Sequence, residues 1–291
     1  MSSTKTQVPF ARAAIIGTGL IGGSFALALQ KHFPSITVIG FDRPEVAARA
    51  LARGAIQQVA ASLDEAMGDA DLMFVALPIG GILEVLPRIA KHAKPGALVT
   101  DAGSTKVQIC REAAKVFGPG TRFLGGHPIA GKENSGIEHA DERLFAGSRY
   151  ALITEETDGD ARLKAFAEIL AAFGAVPVWC DAETHDWAVG IASHLPQILA
   201  VALAGVVRDE TDETGLPLAL AGPGMRDMLR LAGSPFHLWR DVTHTNQENI
   251  SRALDRLTQA IEHLRVNLTS KELEQKFRVA NEVYKSLKKK D

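Results

Sequence analysis

The stretch Gly125-Gly126-His127-Pro128-Ile129-Ala130-Gly131 sets one imidazole between paired glycines and a proline, directly after the short apolar run 122–124. At a strand end an imidazole can accept a proton or a hydrogen bond from a bound ligand. A loop histidine standing alone is more often structural than catalytic. It gains weight from a second motif, Gly17-Thr18-Gly19-Leu20-Ile21-Gly22-Gly23, which fits GxGxxG between an apolar run and an amphipathic one. There Gly17 permits a tight turn, Gly19 lets a pyrophosphate approach the backbone, and Gly22 lets helix pack on strand. The helix opening at Leu20 and Ile21 aims N–H donors at phosphate charge. A ribose-binding carboxylate belongs about 20 residues further on, and Asp42 stands there at the end of the second apolar run. Asp42 favours NAD, because a carboxylate repels the 2′-phosphate of NADP. Arg43 beside it keeps NADP possible. Leu77 and Pro78, closing the run 72–77, are further cofactor-binding candidates. Base and redox cofactor can then share one cleft.

Two further segments carry polar side chains suited to a ligand. Asp101-Ala102-Gly103-Ser104-Thr105-Lys106 follows the run 97–100, at the carboxyl edge where such sheets bind ligands. Ser104 can cap the next helix, and its hydroxyl can also bond to substrate or to a catalytic imidazole. Later come Ser193-His194-Leu195-Pro196-Gln197 and, within 225–241, Arg226, Asp227, Arg230 and Trp239. Surface ion pairs are the plain reading of such charges. Arg226 and Arg230, however, stand four apart and share a helical face, and paired guanidiniums suit a carboxylate-bearing ligand. There is no HExxH and no zinc-like Cys/His spacing, so no metal is expected.

These residues need elements to hold them. Apolar runs at 13–16, 36–41, 72–77, 97–100, 150–153 and 176–179 read as strands. Helical periodicity fills 21–32, 44–53, 82–92, 105–117 and 160–173 between them. Strands alternating with helices predict an α/β Rossmann-type fold with a doubly wound parallel sheet. Beyond about residue 181 the strand signal fades and apolar residues recur at helical spacing, which predicts a second, all-α domain. The expected division is 1–180 for nucleotide binding and 181–291 for the helical part. The stretch 250–273 reads as a long helix whose apolar positions face a partner chain or, in the plainer alternative, pack in a core.

Composition narrows the class. Apolar residues make up 46% and charged residues 23%, the balance of a soluble globular protein. A net charge of −2 gives no basic footprint, so no nucleic-acid partner is expected. The only cysteines, Cys110 and Cys180, form no CxxC, which argues against a disulfide framework and for a reducing cytoplasm. Residues 1–9 lack the apolar core of a signal peptide. No window is expected to reach the roughly 18–20 uncharged apolar residues that span a bilayer, so no membrane contact is expected.

Taken in order, the loop at Gly17, the segment 101–106, the segment 126–136 with Leu144-Phe145, His185-Asp186, 193–196 and 226–239 make the chain resemble the prephenate/arogenate dehydrogenase family. The likeness runs from about residue 11 to 285, and the ordered set is more specific than any member of it. It implies oxidative decarboxylation of prephenate to 4-hydroxyphenylpyruvate, or of arogenate to tyrosine, with NAD(P)⁺ reduced. It also implies a homodimer through the helical domain. By the same resemblance His127 would accept a hydrogen bond from the ring hydroxyl, with Ser104 as its partner. His194 and Arg230 would hold substrate, Glu133 would sit at the entrance, and Trp239 would line the substrate side. Arg226 stands where relatives carry a lysine reaching in from the neighbouring subunit, a change that keeps charge and alters geometry. Neither a regulatory ACT module nor a fused chorismate mutase is expected. In the implied chemistry hydride leaves the carbon bearing the hydroxyl, a neutral imidazole stabilises the positive charge growing there, and loss of CO₂ restores aromaticity. Arogenate dehydrogenase differs only by an amino group in place of the side-chain keto group, which Glu133 could pair with. A β-hydroxyacid dehydrogenase would need a lysine that 193–197 lacks. An NAD(H)-sensing regulator would not need His127, His194 and Arg230 together.

Overall fold

A run such as Leu72-Met73-Phe74-Val75 has no polar face, so it is stable as a strand only when both faces are covered. In the computed structural model, which describes residues 8–132, 134–154 and 159–288, such runs form the middle of a sheet. Its strands are β1 Arg12–Ile16, β2 Thr37–Phe41, β3 Gln58–Val59, β4 Leu72–Val75, β5 Leu98–Asp101, β6 Arg122–Pro128, β7 Arg149–Ile153 and β8 Val176–Cys180. Among the described residues these eight lie in the order β3-β2-β1-β4-β5-β6-β7-β8. Side chains alternate between faces. Ala13, Ile15, Leu72 and Phe74 enter one core with Phe25, Phe145 and Phe166, while Ala14, Ile16, Met73 and Val75 enter the other with Ile82, Leu86 and Ile109. Phe25 and Phe74 stack with centroids 3.9 Å apart.

The helices are α1 Leu20–His32, α2 Pro44–Ala52, α3 Leu63–Met67, α4 Ile79–His92, α5 Val107–Val116, α6 Ala161–Ala172, α7 Ala182–Val189, α8 Leu195–Asp209, α9 Leu216–Ala219, α10 Pro223–Leu229, α11 Phe236–Thr245, α12 Gln247–Val266 and α13 Lys271–Lys288. The expected Rossmann-type architecture with a helical part after it is present. One pairing departs from the all-parallel expectation: β6 and β7 run antiparallel. A parallel return needs a crossover, usually a helix, and the described residues of 129–148 hold only a three-residue 3₁₀ turn, Ile137–His139. The short β3 and α3 had no counterpart among the expected elements. A capping pattern in 61–65 marks α3: Ser62 Oγ accepts the Glu65 N–H at 3.2 Å and the Glu65 carboxylate accepts the Ala61 N–H at 2.7 Å.

By compactness the chain forms two units. The sheet unit comprises the described residues up to Ala188 together with Ser234–Thr245. The helical unit comprises Val189–Gly233 and the described residues from Asn246 onward. Residues 182–188 and the segment carrying Trp239 therefore group with the sheet, rather than with the rest of 181–291. The helical unit opens on a π turn, Gly190–His194. The expected single long helix over 250–273 is instead two, because α12 stops at Val266 and α13 starts at Lys271. Asn267 leaves helical geometry at φ −116°, and its side chain donates to the His263 carbonyl at 2.9 Å, offering the backbone an alternative to the next turn.

The expectation that no window reaches bilayer-spanning length does not hold. By length and composition the helical run Ala182–Asp209 is apolar enough to cross a bilayer, with a mean hydropathy of 1.7 over its best 18 residues. Little of that window is buried, and Val201 and Val206 lie exposed.

Candidate active site

The carboxyl ends of β1, β2, β4, β5 and β6 bring together Gly17, Asp42, Leu77, Ser104 and His127 at one edge of the sheet unit. The glycine loop comes first. Gly17 has φ +90°, and a Cβ there would stand 2.4 Å from the Ala76 carbonyl oxygen. At Gly22 a Cβ would fall 1.8 Å from the Gly17 carbonyl oxygen, so only glycine lets α1 start this close to β1. Gly19 is the opposite case: nothing lies within 4 Å of an added Cβ, which leaves open space over the backbone where a phosphate would pass. No side chain caps α1, whose first residues are Leu20 and Ile21, so its N–H groups face that space. The loop fits a pyrophosphate.

Asp42, one residue past β2, accepts the Thr18 N–H at 2.6 Å and the Thr18 hydroxyl at 3.2 Å through one oxygen, and the Arg43 N–H at 2.7 Å through the other. Its carboxylate thus ties the glycine loop to the second strand. A cavity of about 530 Å³ opens beside it, walled by Phe41, Asp42, Arg43, Val59, Ala61 and Leu77. Its apolar walls and single carboxylate suit an adenosine. Pro78 precedes α4, and the Gly80 N–H in the first turn donates to Asp241 at 3.0 Å. That N–H holds the Asp241 carboxyl below its usual range, against the opposing effect of burial and with help from Arg240. A larger cavity of about 690 Å³, lined by Cys110, Phe117, Arg122 and Asp160 among others, includes no residue of the glycine loop.

Beneath the edge lies an ion pair that the sequence reading did not single out. Asp101 and Lys106 side chains are both fully buried and pair directly. Lys106 also donates to the Gly126 carbonyl at 2.7 Å, and Asp101 accepts the Gly103 N–H at 2.8 Å and the Gly126 N–H at 3.1 Å. The pair therefore anchors both the turn before α5 and the residue that precedes His127. Ser104 lies half-buried in that turn and, contrary to the expectation that it caps the next helix, does not cap α5. The cap comes from Asp186, whose carboxylate accepts the Lys106 N–H at 2.7 Å and the Val107 N–H at 2.9 Å.

His127 is half-buried near the end of β6, where the strand has outrun β5 and pairs with β7, His127 opposite Ala151. Its Nδ1 lies 2.9 Å from His185 Nε2, and His185 Nδ1 lies 2.8 Å from Asp186 Oδ1. The dipeptide His185-Asp186 belongs to the set of motifs shared with the family, but the sequence alone attaches no role to it. Nothing local signals one, since its partners lie 58 and 79–80 residues away. Neither cysteine is suited to act as a nucleophile. Both are free, and burial pushes the Cys110 thiol up to about 12 and raises that of Cys180.

The remaining candidates divide between the units. Trp239 is half-buried on α11 and packs against the sheet unit's second core. In the helical unit His194 is buried on the π turn, with Nδ1 3.1 Å from Asn246 Nδ2. Arg226 on α10 and Arg230 just after it are both exposed and lie one helical turn apart, the Arg230 N–H bonding to the Arg226 carbonyl. Glu133 falls outside the described residues.

A glycine loop at a topological switch point, a carboxylate ending β2 and an imidazole at the same edge define a dinucleotide-dependent dehydrogenase of Rossmann type. Comparison with known proteins narrows the class. Residues 25–179 match the family model described as prephenate dehydrogenase, nucleotide-binding domain, and residues 181–282 that described as prephenate dehydrogenase, dimerization domain. A prephenate dehydrogenase of Lactococcus lactis is 35% identical over 260 residues, covering 89% of this chain and 71% of its own. A cyclohexadienyl dehydrogenase of Zymomonas mobilis is 29% identical over 90% of both chains. The crystal structure of prephenate dehydrogenase from Aquifex aeolicus with hydroxyphenyl propionate and NAD⁺ superposes with a TM-score of 0.88 at 27% identity, covering 98% of this chain and all of that one. The chain belongs to the prephenate dehydrogenase family.

Proposed function

We propose that the chain oxidatively decarboxylates prephenate to 4-hydroxyphenylpyruvate with NAD⁺ as oxidant, a step of tyrosine biosynthesis in the cytoplasm. The observation that carries this reading is His127, presented by β6 at the sheet edge that also holds the glycine loop. NAD⁺, when bound, supplies the hydride acceptor. The loop at Gly17, Gly19 and Gly22 would seat its pyrophosphate, with Asp42 on the adenosine ribose, Arg43 beside it, and Leu77 and Pro78 near its far end. His127 would accept a hydrogen bond from the ring hydroxyl, stabilising the positive charge that grows on that carbon as hydride leaves. Ser104 would bond to the hydroxyl or to the imidazole. Arg230 and His194 would hold substrate, with Arg226, Glu133 and Trp239 bordering it. The division after residue 180 is supported by the two family models, which meet at 179 and 181. Arogenate is the second reading, favoured by the likeness to a cyclohexadienyl dehydrogenase. Titration with NAD⁺, then NADH formation measured with prephenate and with arogenate, tests both readings. Turnover of neither overturns the proposal, and turnover of arogenate alone replaces it with the second reading.

Asp42 sets the cofactor preference in this scheme. A hydrogen bond to a charged group is worth about 1.5–3 kcal/mol, so Asp42→Ser should lower kcat/KM for NAD⁺ by about 10- to 100-fold and narrow its lead over NADP⁺. An unaltered protein that prefers NADP⁺ would hand control of the site to Arg43. Arg230→Lys keeps the charge but loses the planar two-donor fork, so KM for prephenate should rise roughly 10-fold or more while NAD⁺ affinity stays unchanged. An unaltered KM reduces Arg230 to a surface charge.

We also propose a homodimer through the helical unit. On α13 no residue is buried, and Phe277, Val283 and Leu287 are 70%, 56% and 63% exposed along the helix. Val201 and Val206 on α8 are likewise exposed, so the apolarity of that run suits helix packing against a second copy. Sedimentation at micromolar concentration should give a dimer, and an active monomer would exclude it.

A further inference from the structure

The proposed reaction needs an acceptor lone pair on His127, and a neutral imidazole has one on only one of its two nitrogens. Which nitrogen carries it is decided by the hydrogen bond the other makes. The bonding around His127 determines this from the interior outward. Asp186 is a carboxylate that accepts two backbone N–H groups at the N-terminus of α5, one on each oxygen. Oδ1 also faces His185 Nδ1 at 2.8 Å. A carboxylate only accepts, so His185 Nδ1 carries the proton and donates it. Neutral His185 then has its lone pair on Nε2, which faces His127 Nδ1 at 2.9 Å. That contact requires the proton on His127 Nδ1. The lone pair of His127 is left on Nε2.

We propose that His185 and Asp186 are positioning residues that hold His127 in the Nδ1–H tautomer, with Nε2 presented as the acceptor for the substrate hydroxyl. The inference rests on the reading of His127 as that acceptor. Both residues are buried, His185 4% and Asp186 1% exposed, so the chain runs from a shielded carboxylate to a half-buried imidazole at the sheet edge. The α5 N–H groups fix the carboxylate, the carboxylate fixes one ring, and that ring fixes the next. As positive charge grows on the substrate hydroxyl, its proton moves toward His127 Nε2. His127 keeps its Nδ1–H bond to His185 throughout, and the carboxylate of Asp186 favours the charged ring through His185. No proton need move along the chain.

Nitrogen-15 NMR of the imidazoles reads the tautomer without reference to activity, with His127 assigned by its loss in His127→Asn. In the unaltered protein His127 should show a protonated Nδ1 and an unprotonated Nε2. A protonated Nε2 overturns the proposal, as would occur if His185 were an imidazolium donating from both nitrogens. His185→Phe removes the acceptor for His127 Nδ1–H and leaves the Asp186 bonds to α5 in place. It should mix the two His127 tautomers and lower kcat by about 10²-fold, with KM and the NAD⁺ dissociation constant within about twofold of the unaltered values. His185→Gln, which can still accept at that position, should recover part of the loss. If His185→Phe leaves both tautomer and kcat unchanged while His127→Asn is inactive, this proposal fails and the acceptor reading stands. If His127→Asn itself keeps its kcat, the acceptor reading fails, and the NMR result still decides the tautomer.

Discussion

His127→Asn should lower kcat by about 10²–10⁴-fold, the usual cost of losing a positioned base, while leaving prephenate and NAD⁺ binding close to unaltered. The expectation follows from where β6 puts the side chain. His127 is in register with Ala151 in an antiparallel ladder, and its ring is tied to His185. An asparagine keeps the backbone and a polar tip but offers no imidazole lone pair at the same reach. In the unaltered enzyme kcat should fall toward acid pH as imidazole takes up a proton and can no longer accept. That acid limb should vanish in the variant. A variant retaining most of its kcat, or an unchanged acid limb, would place the acceptor elsewhere, with His194 next in line.

Lys106→Met should destabilise the sheet unit by about 3–5 kcal/mol, because removing one partner of a buried pair leaves the other charge uncompensated. Asp101 would keep its backbone donors from Gly103 and Gly126 but lose its only counter-charge of those named. The surroundings give little relief. Tyr150 is fully buried, and burial pushes its hydroxyl well above the ordinary tyrosine range, the Asp101 charge adding to the effect. The loss corresponds to a fall in Tm on the order of 10 °C for a unit of this size. Thermal unfolding followed by circular dichroism, with and without NAD⁺, measures it. A shift under about 2 °C would show that the two charges are not both present in the folded protein.

The central strands were legible because uncharged runs such as 72–75 and 97–100 have nowhere to go but between two covered faces. The glycine loop and Asp42 were legible for a related reason: backbone geometry at Gly17 and Gly22 admits one residue type, and that restriction is written in the sequence. What escaped was decided by distance. The direction of β7 depends on what the chain between it and β6 fails to form, and a missing crossover leaves no pattern of its own. The break at Asn267 turns on one side chain bonding to a carbonyl four residues back, a contest that periodicity does not register. In the site, Ser104 sits in a suitable place for a cap, yet α5 is capped by Asp186 from another element. Buried Lys106 was hidden altogether, since nothing in the order of residues separates a lysine facing solvent from one facing Asp101.

The antiparallel pairing of β6 with β7 also bears on how freely this protein can change. Loops tolerate insertions and deletions that strands do not, and an imidazole carried on a loop would move with each of them. Here β6 continues past the end of β5, and its last four residues find a second neighbour in β7. The imidazole of His127 is thereby built on the frame, and the following loop is relieved of holding it. Ile137 and Phe145 in the following segment are fully buried and hold to the core, so changes of length fall on exposed residues such as Gly131 and Asn134, and His127 on its strand does not move with them.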